Sequence, residues 1–318
     1  MGKIRWGILG GASFVANQAV IPALLSEPRS IISGFVSLSG GKDLLLAKLG
    51  VPRFSSYEAL IKSGQVDVIY IALPNSLHKH WIDSAVNHNI SVLCEKPISL
   101  DSSELKEVLV AAKSKKILVR EAYMTPFHSR VKQVRRLINA LEIGDINYID
   151  TEFSFTLPMN NNYRWHKHLG GGALADVGIY LVEPIIDKFG FPTDVTISEF
   201  KKYGNIDICV KAKLVFEQGK TATIKASFVD IESQKLMYYG TLGQISLDRP
   251  FTPSLSDNKI IINRVGAFEV VVCPPDDPYR VMVASFVDEL LGQVRSIYSL
   301  DRSLEVQLVL DQIIEIRP

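Results

Sequence analysis

The sequence predicts two domains of different fold class. Residues 1–122 read as an α/β domain with a parallel doubly wound sheet, and residues 123–318 as an α+β domain with a large, mostly antiparallel sheet. Three observations predict this. In the first half, short apolar runs of strand length alternate with helix-length segments across short loops, the pattern of a parallel sheet covered on both faces. In the second half, segments with period-2 alternation follow one another with little helix between them, as in an antiparallel or mixed sheet. The rhythm changes at Tyr123, which marks the boundary.

Ile4 to Leu9 is the first buried strand. Gly10, Gly11, Ala12, Ser13 and Phe14 follow, then an apolar helix from Ala19 to Leu25 with Pro22 as a kink inside it. Strand, glycine turn and helix are the setting of a dinucleotide fingerprint. Glycines let the backbone approach a pyrophosphate, and the helix N-terminus favours its charge. The match is incomplete: Ala12 stands at the second glycine position, and Val15 or Ala16 near the third. An ordinary strand–helix turn would read the same way.

Ile31 to Ser37 is the second strand. An Asp or Glu at its end would meet a free ribose 2′-OH. The segment Ser37-Leu38-Ser39-Gly40-Gly41-Lys42 has no acid before Asp43, and no arginine. Ser37, Ser39 and Lys42 suit a 2′-phosphate, which favours NADP over NAD. Lys42 to Leu49 and Ser56 to Lys62 read as short helices, the second capped by Ser56. Val66 to Leu73 is a central strand that ends in Pro74, Asn75, Ser76, Leu77 and His78, and a helix then runs to about Asn87. After the next strand, Asp101 or Ser102 caps a helix to Ser114, and Ile117 to Ala122 is counted as a sixth strand.

That next strand, Ser91-Val92-Leu93-Cys94, stops at Glu95-Lys96-Pro97. Proline has no N–H for a ladder and biases the residue before it away from helix. An acid and a lysine are left at the carboxyl end of a strand, where open α/β sheets bind ligands. Lysine at such a place can serve as an acid or base, because burial and neighbours move its pKa readily. A surface Glu–Lys pair at a strand end is the plainer alternative.

Past Tyr123, Phe127 to Leu141 forms a basic amphipathic helix whose Arg130, Lys132, Arg135 and Arg136 read as a solvated face. Strands follow at Ile146 to Leu157, Val195 to Lys201, Ile206 to Glu217, Thr221 to Val229, Lys235 to Gly240, Ile260 to Asn263 and Phe268 to Val272. Helices near Asp277 to Val294 and Arg302 to Glu315 end the chain. Within this half, Gly170-Gly171-Gly172 opens a helix that carries Asp176 and Tyr180, four apart and therefore on one face. Three glycines allow a close approach to another surface. Gly178 inside the helix costs about 1 kcal/mol against alanine, so a close contact on that side, such as a cofactor or the other domain, is expected. An Asp–Tyr hydrogen bond on a purely structural helix is the alternative.

The chain has 318 residues and a net charge of +1, which gives no long-range attraction to nucleic acid or to an anionic membrane. Three scattered cysteines, Cys94, Cys209 and Cys273, argue for reduced thiols and a cytoplasmic address. No run reaches the roughly 18 apolar residues of a membrane helix, and the start of the chain lacks the apolar stretch and cleavage site of a signal peptide. His78 and His80, and His166 and His168, are each two apart, but no third ligand lies close by, so no metal is expected.

Taken together, these motifs resemble the glucose–fructose oxidoreductase and inositol dehydrogenase family of two-domain NAD(P)-dependent sugar dehydrogenases. The resemblance rests on Glu95-Lys96-Pro97, on Pro74-Asn75-Ser76-Leu77-His78, and on the run from Gly170 to Tyr180. The stretch Glu121-Ala122-Tyr123-Met124-Thr125-Pro126-Phe127-His128 is similar to that of the pyranose-dehydrogenase and dihydrodiol-dehydrogenase branch. It implies Lys96 as the catalytic lysine, Tyr180 as the proton-transfer residue and Asp176 as a substrate-orienting carboxylate. Cofactor contacts are expected from Gly10, Gly11, Ala12, Ser13, Phe14, Ser37, Lys42, Leu73, Pro74, Asn75, His78, Glu95 and Lys96. Substrate contacts are expected from Tyr123, Arg164, His166, Asp176 and Tyr180. Lys96 and Tyr180 fall in different domains, so they are expected to meet across a cleft that holds a nicotinamide and a substrate, a sugar, sugar derivative or cyclic diol. The resemblance also implies a homodimer or homotetramer. Two other functions fit the same fold, a non-catalytic NAD(P)-binding sensor and an NAD-dependent glycosidase.

Overall fold

The protein is described by a computed structural model that covers residues 2–38 and 44–316. Ser39 and Lys42, two of the residues assigned to the 2′-phosphate, lie outside the described residues. The described chain forms two compact units. The first is the chain up to Met124 together with Tyr279–Leu304; the second is Thr125–Pro278 with the chain from Glu305 on. The sequence-based boundary at Tyr123 falls beside the first crossing, but Tyr279–Leu304, assigned above to the second domain, belongs to the first unit.

The first unit holds a parallel sheet of β1 (Ile4–Leu9), β2 (Ser30–Val36), β3 (Val68–Ile71), β4 (Ser91–Cys94) and β5 (Val119–Glu121), in the order β2-β1-β3-β4-β5. Among the described residues this half forms five strands, not six, and the described part of the segment between β2 and β3 holds the short helices α2 (Leu45–Lys48) and α3 (Tyr57–Ile61). Pro22 lies inside a helix that runs without a break over residues 14–26, and the distortion expected there takes the form of a π-helical stretch just before it. The π-helical turn at Ala16–Val20 leads straight into α1 (Ile21–Ser26), and Pro22, which has no N–H to give to the preceding turn, is the second residue of α1. Helices α4 (His78–Asn87) and α5 (Ser102–Lys115) complete the alternation, α5 starting under an Asp101 cap on the Glu104 N–H. The late helix α8 (Pro278–Leu290) packs here for identifiable reasons. Phe286 meets Trp6 with ring centroids 5.3 Å apart, Asp288 pairs with Arg29 at 2.6 Å, and Glu289 pairs with Arg120.

The second unit opens with α6 (Ser129–Asn139) and β6 (Ile146–Ser154), followed by α7 (Ala173–Phe189). Strands β7 (Asp194–Tyr203), β8 (Ile206–Val215), β9 (Thr221–Ser227), β10 (Ser233–Gly240), β11 (Gly243–Leu247), β12 (Lys259–Arg264) and β13 (Ala267–Val272) then complete an eight-stranded sheet ordered β13-β12-β11-β10-β6-β9-β8-β7. Every pair is antiparallel except β6 with β9. Strand β11 was not expected; five residues long and beginning with Gly243, it carries too little alternation to register alone. One sheet face is apolar and buried, with rows such as Ile262, Ile245, Tyr238, Ile149, Ala222 and Leu214 in register. Helix α7 lies on that face, and the Thr151 hydroxyl donates to the Leu181 carbonyl at 3.2 Å. The last helix, α9 (Leu300–Glu315), begins in the first unit and ends in the second.

Candidate functional site

In the first unit, strand order β2-β1-β3 puts the topological switch point between β1 and β3. The two loops there are Gly10–Phe14 and Leu73–Asn75, both assigned to the cofactor from sequence. Gly10 has φ +91°, and a Cβ on it would run into the Ala72 carbonyl, so only glycine turns β1 this tightly against the end of β3. A Cβ on Gly11 would lie 2.8 Å from the Phe35 ring. Asn17, unnoticed in the sequence, donates from its amide to the Gly11 and Ser13 carbonyls at 2.9 and 2.8 Å and fixes the turn. Ala12 and Phe14 are exposed at its tip. These features fit a dinucleotide: Gly10 and Gly11 bring no side chain to the turn, Asn17 braces it, and Ala12 and Phe14 at its tip are exposed.

Lys96 follows β4, half-buried, between two acids. Glu95 accepts from the Tyr70 hydroxyl at 2.6 Å, and Glu121, on β5, accepts from the Ile98 N–H at 2.9 Å and the Tyr298 hydroxyl at 3.4 Å. Burial raises the pKa of both carboxyls, opposed by those hydrogen bonds and by the Lys96 charge. His78 corrects one expectation. It exposes none of its surface, its Nδ1 lies 2.7 Å from the Pro97 carbonyl oxygen and its Nε2 2.9 Å from that of Leu73. Burial lowers its pKa, with the two carbonyls opposing the shift. With a carbonyl oxygen at each ring nitrogen, the buried His78 ring sits between the loop after β3 and the turn after Lys96. Tyr123, assigned to substrate, is also wholly buried, edge-on to Tyr298 at 5.1 Å between centroids. It is a core residue of the first unit.

In the second unit, Arg164, Asp176 and Tyr180 come together. Arg164 Nε donates to Asp176 Oδ2 at 2.7 Å, and Asp176 is only 5% exposed. Burial opposes the Arg164 charge, but Asp176, Tyr163 and Tyr180 outweigh it and raise its pKa. Tyr180, one turn along α7, is buried against Phe153 and Phe251, at 5.4 and 5.7 Å between ring centroids. His166 is half-buried, and its carbonyl accepts the Leu169 and Gly171 N–H groups.

The glycines before α7 face protein, not ligand. A Cβ on Gly171 would strike the Arg164 carbonyl and lie 2.9 Å from the His166 oxygen; one on Gly172, whose φ is +129°, would lie 2.6 Å from Asp207 Oδ1. Asp207, on β8, caps the helix from across the sheet by accepting the Leu174 N–H at 2.7 Å. Nothing in its sequence neighbourhood signals that role. The close contact expected at Gly178 is there: a Cβ would lie 2.6 Å from Cδ2 of Leu310, in the part of α9 that belongs to the same unit. Among the described residues no group of three or more His, Cys, Asp or Glu is arranged to hold a metal ion.

A Gly-turned parallel sheet with a lysine after its fourth strand, followed by an α+β unit, defines a dinucleotide-binding oxidoreductase of two domains. Residues 4–123 match the model of the oxidoreductase family with an NAD-binding Rossmann fold, and residues 131–246 match the GFO/IDH/MocA C-terminal domain. The chain belongs to the GFO/IDH/MocA family. It is 28% identical over 291 residues to the dTDP-3,4-didehydro-2,6-dideoxy-alpha-D-glucose 3-reductase of Saccharopolyspora spinosa, covering 90% of this chain and 87% of that one. It is also 28% identical over 317 residues to the D-xylose 1-dehydrogenase (NADP(+)) 2 of Haloferax volcanii, covering 98% and 97%. Its fold matches that of KijD10, a 3-ketoreductase from Actinomadura kijaniata solved with NADP and TDP-benzene, with a TM-score of 0.91 at 24% identity over 99% and 98% of the chains.

Proposed function

We propose that the protein is an NADP-dependent oxidoreductase that moves a hydride between the nicotinamide and a hydroxyl-bearing or keto carbon of a sugar, sugar derivative or cyclic diol. The observation that carries the reading is the Asp176–Tyr180 face of α7, where a buried phenol stands one turn from a carboxylate held by a guanidinium at 2.7 Å. Family membership and the sugar reductases and dehydrogenases among the relatives support it.

Gly10–Phe14 and Leu73–Asn75 would hold the dinucleotide, which supplies hydride chemistry when bound. The chain's residues handle the proton and the charge. Tyr180 exchanges the proton with the substrate oxygen, and Lys96 stabilises the negative charge that builds there. A phenol with its free pKa of about 10 needs a cation to act as a base near neutrality. Arg164, whose charge Tyr180 supports, supplies one within the same unit. Because Asp176 already accepts from Arg164, its role is to orient that guanidinium as much as a substrate hydroxyl.

Turnover followed at 340 nm on a panel of aldoses, keto-sugars and diols tests the reading. Tyr180→Phe is expected to slow turnover by roughly 10²-fold or more, and Lys96→Ala by at least as much. Neither should weaken NADPH binding by more than about 1 kcal/mol. Wild-type turnover with an unaltered pH profile in Tyr180→Phe would remove Tyr180 from the reaction. Tight NADPH binding with no turnover on any substrate would make the protein a sensor.

Two finer features belong to the same proposal. The outer sheet face leaves Phe268, Val270 and Val272 of β13 exposed by 68, 41 and 63%, the first two in register through β12 and β11 with Tyr239 and Met237 of β10. Exposed apolar sheet favours an interface, which supports a homodimer or homotetramer. Cys94, Cys209 and Cys273 are all free and buried, which supports a reducing, cytoplasmic address. Among the described residues no helix is long and apolar enough to cross a membrane.

A further inference from the structure

We propose that Arg53 is the residue that selects NADP over NAD, by binding the 2′-phosphate of the adenosine ribose. The inference rests on the dinucleotide reading above and concerns a residue that the sequence pattern places nowhere near the cofactor. In a doubly wound sheet the group that meets the 2′ position stands at the carboxyl end of the second strand. The stretch immediately after β2 contains no arginine.

The fold supplies one from further along the chain. Pro52–Phe54 runs parallel to the outer edge of β2: the Phe35 N–H donates to the Pro52 carbonyl at 3.0 Å, the Phe54 N–H donates to the Phe35 carbonyl at 2.9 Å, and Phe35 and Arg53 form a parallel bridge. Phe54 anchors this segment, its ring packed so closely on β2 that a Cβ on Gly34 would lie 2.6 Å from it. Successive side chains of an extended segment point to opposite sides, so with Phe54 turned inward Arg53 is turned outward, and it is exposed. Its Nη2 donates to the Ser37 carbonyl at 2.6 Å. That bond holds the guanidinium at the end of β2. Arg53 therefore combines a permanent charge, a planar fork that matches phosphate oxygens, and a fixed position at the strand end that decides between the two cofactors.

The test is equilibrium titration of NADPH and NADH, by their fluorescence, into wild type, Arg53→Gln and Arg53→Lys, with thermal melts to show that each variant is folded. Arg53→Gln is expected to weaken NADPH by tenfold or more, about 1.4 kcal/mol, and to leave NADH within about twofold. Arg53→Lys, which keeps the charge and loses the fork, should fall between. Adenosine 2′,5′-bisphosphate and ADP, used as competitors without any nicotinamide, should lose their difference in Arg53→Gln. If Arg53→Gln keeps the wild-type preference, or weakens both cofactors equally, the assignment to Arg53 is overturned while the NADP reading stands. If wild type itself binds NADH as tightly as NADPH, both fail.

Discussion

Removing Arg164 tests the geometry at the head of α7. The pair with Asp176 is short, 2.7 Å, and unevenly buried, with the carboxylate side chain 7% exposed and the guanidinium 24%. Breaking a wholly buried ion pair by deleting one partner costs about 3–5 kcal/mol, because the charge left behind has lost both water and partner. A quarter of Arg164 already meets solvent, and water can follow the truncated side chain, so Arg164→Ala should cost about 2–3 kcal/mol. Asp176→Asn keeps an acceptor for the guanidinium and should cost about 1–2 kcal/mol. The double variant has no stranded carboxylate and should be more stable than the sum of the singles implies, by about 1–2 kcal/mol. Urea unfolding with equal m-values in all four proteins measures this. An Arg164→Ala loss below about 0.5 kcal/mol, within the range of ordinary surface changes, would mean that Asp176 is held by something other than Arg164.

Two further outcomes follow from the same structure. Gly171→Ala should destabilise by about 1–3 kcal/mol, the cost of overpacking, because its Cβ meets the backbone of Arg164 and His166 and no flexible side chain can yield; unfolding at the wild-type urea midpoint would show that the turn can shift freely. Burial raises the folded-state pKa of Glu121, so the folded chain holds a proton there over a range of pH where the unfolded chain has released it. Its contribution to stability is fullest below the unfolded value of about 4.3 and is lost as pH rises toward the folded value. Wild type should therefore lose stability relative to Glu121→Gln between acid and neutral pH, and urea midpoints that move the other way would show that its hydrogen bonds outweigh its burial.

The parallel sheet was legible because its signals are local. Runs such as Val68–Ile71 and residues 92–94 are apolar and are followed within three residues by a proline, so strand, turn and helix could be read without knowing what packs where. What escaped was set by contacts distant in sequence. The segment Tyr279–Leu304 joins the first unit through Trp6, Arg29 and Arg120, partners no local pattern reveals. Arg53 reaches the end of β2 from 16 residues beyond Ser37. Tyr123 and His78 sit in motifs, and motif membership does not distinguish a side chain that faces a ligand from one that fills the core.

The glycine run before α7 shows why that distinction matters for mechanism. Read along the chain, three glycines allow the backbone to approach another surface closely, without saying which. In the fold, Gly171 makes room for the carbonyls of Arg164 and His166, and Gly172 for the carboxylate of Asp207. The Gly172 N–H returns to the Arg164 carbonyl at 3.1 Å, which closes the turn. Two placements are thereby coupled. Asp207 fixes where α7 begins, through the Leu174 N–H, and the closed turn fixes where Arg164 stands relative to that start. Asp176 and Tyr180 lie one and two turns along the helix, so their reach toward the guanidinium follows from both constraints. A side chain at Gly171 would press on the Arg164 backbone and one at Gly172 on the carboxylate that caps the helix, so each would strain the placement of the ion pair with every polar residue still in place.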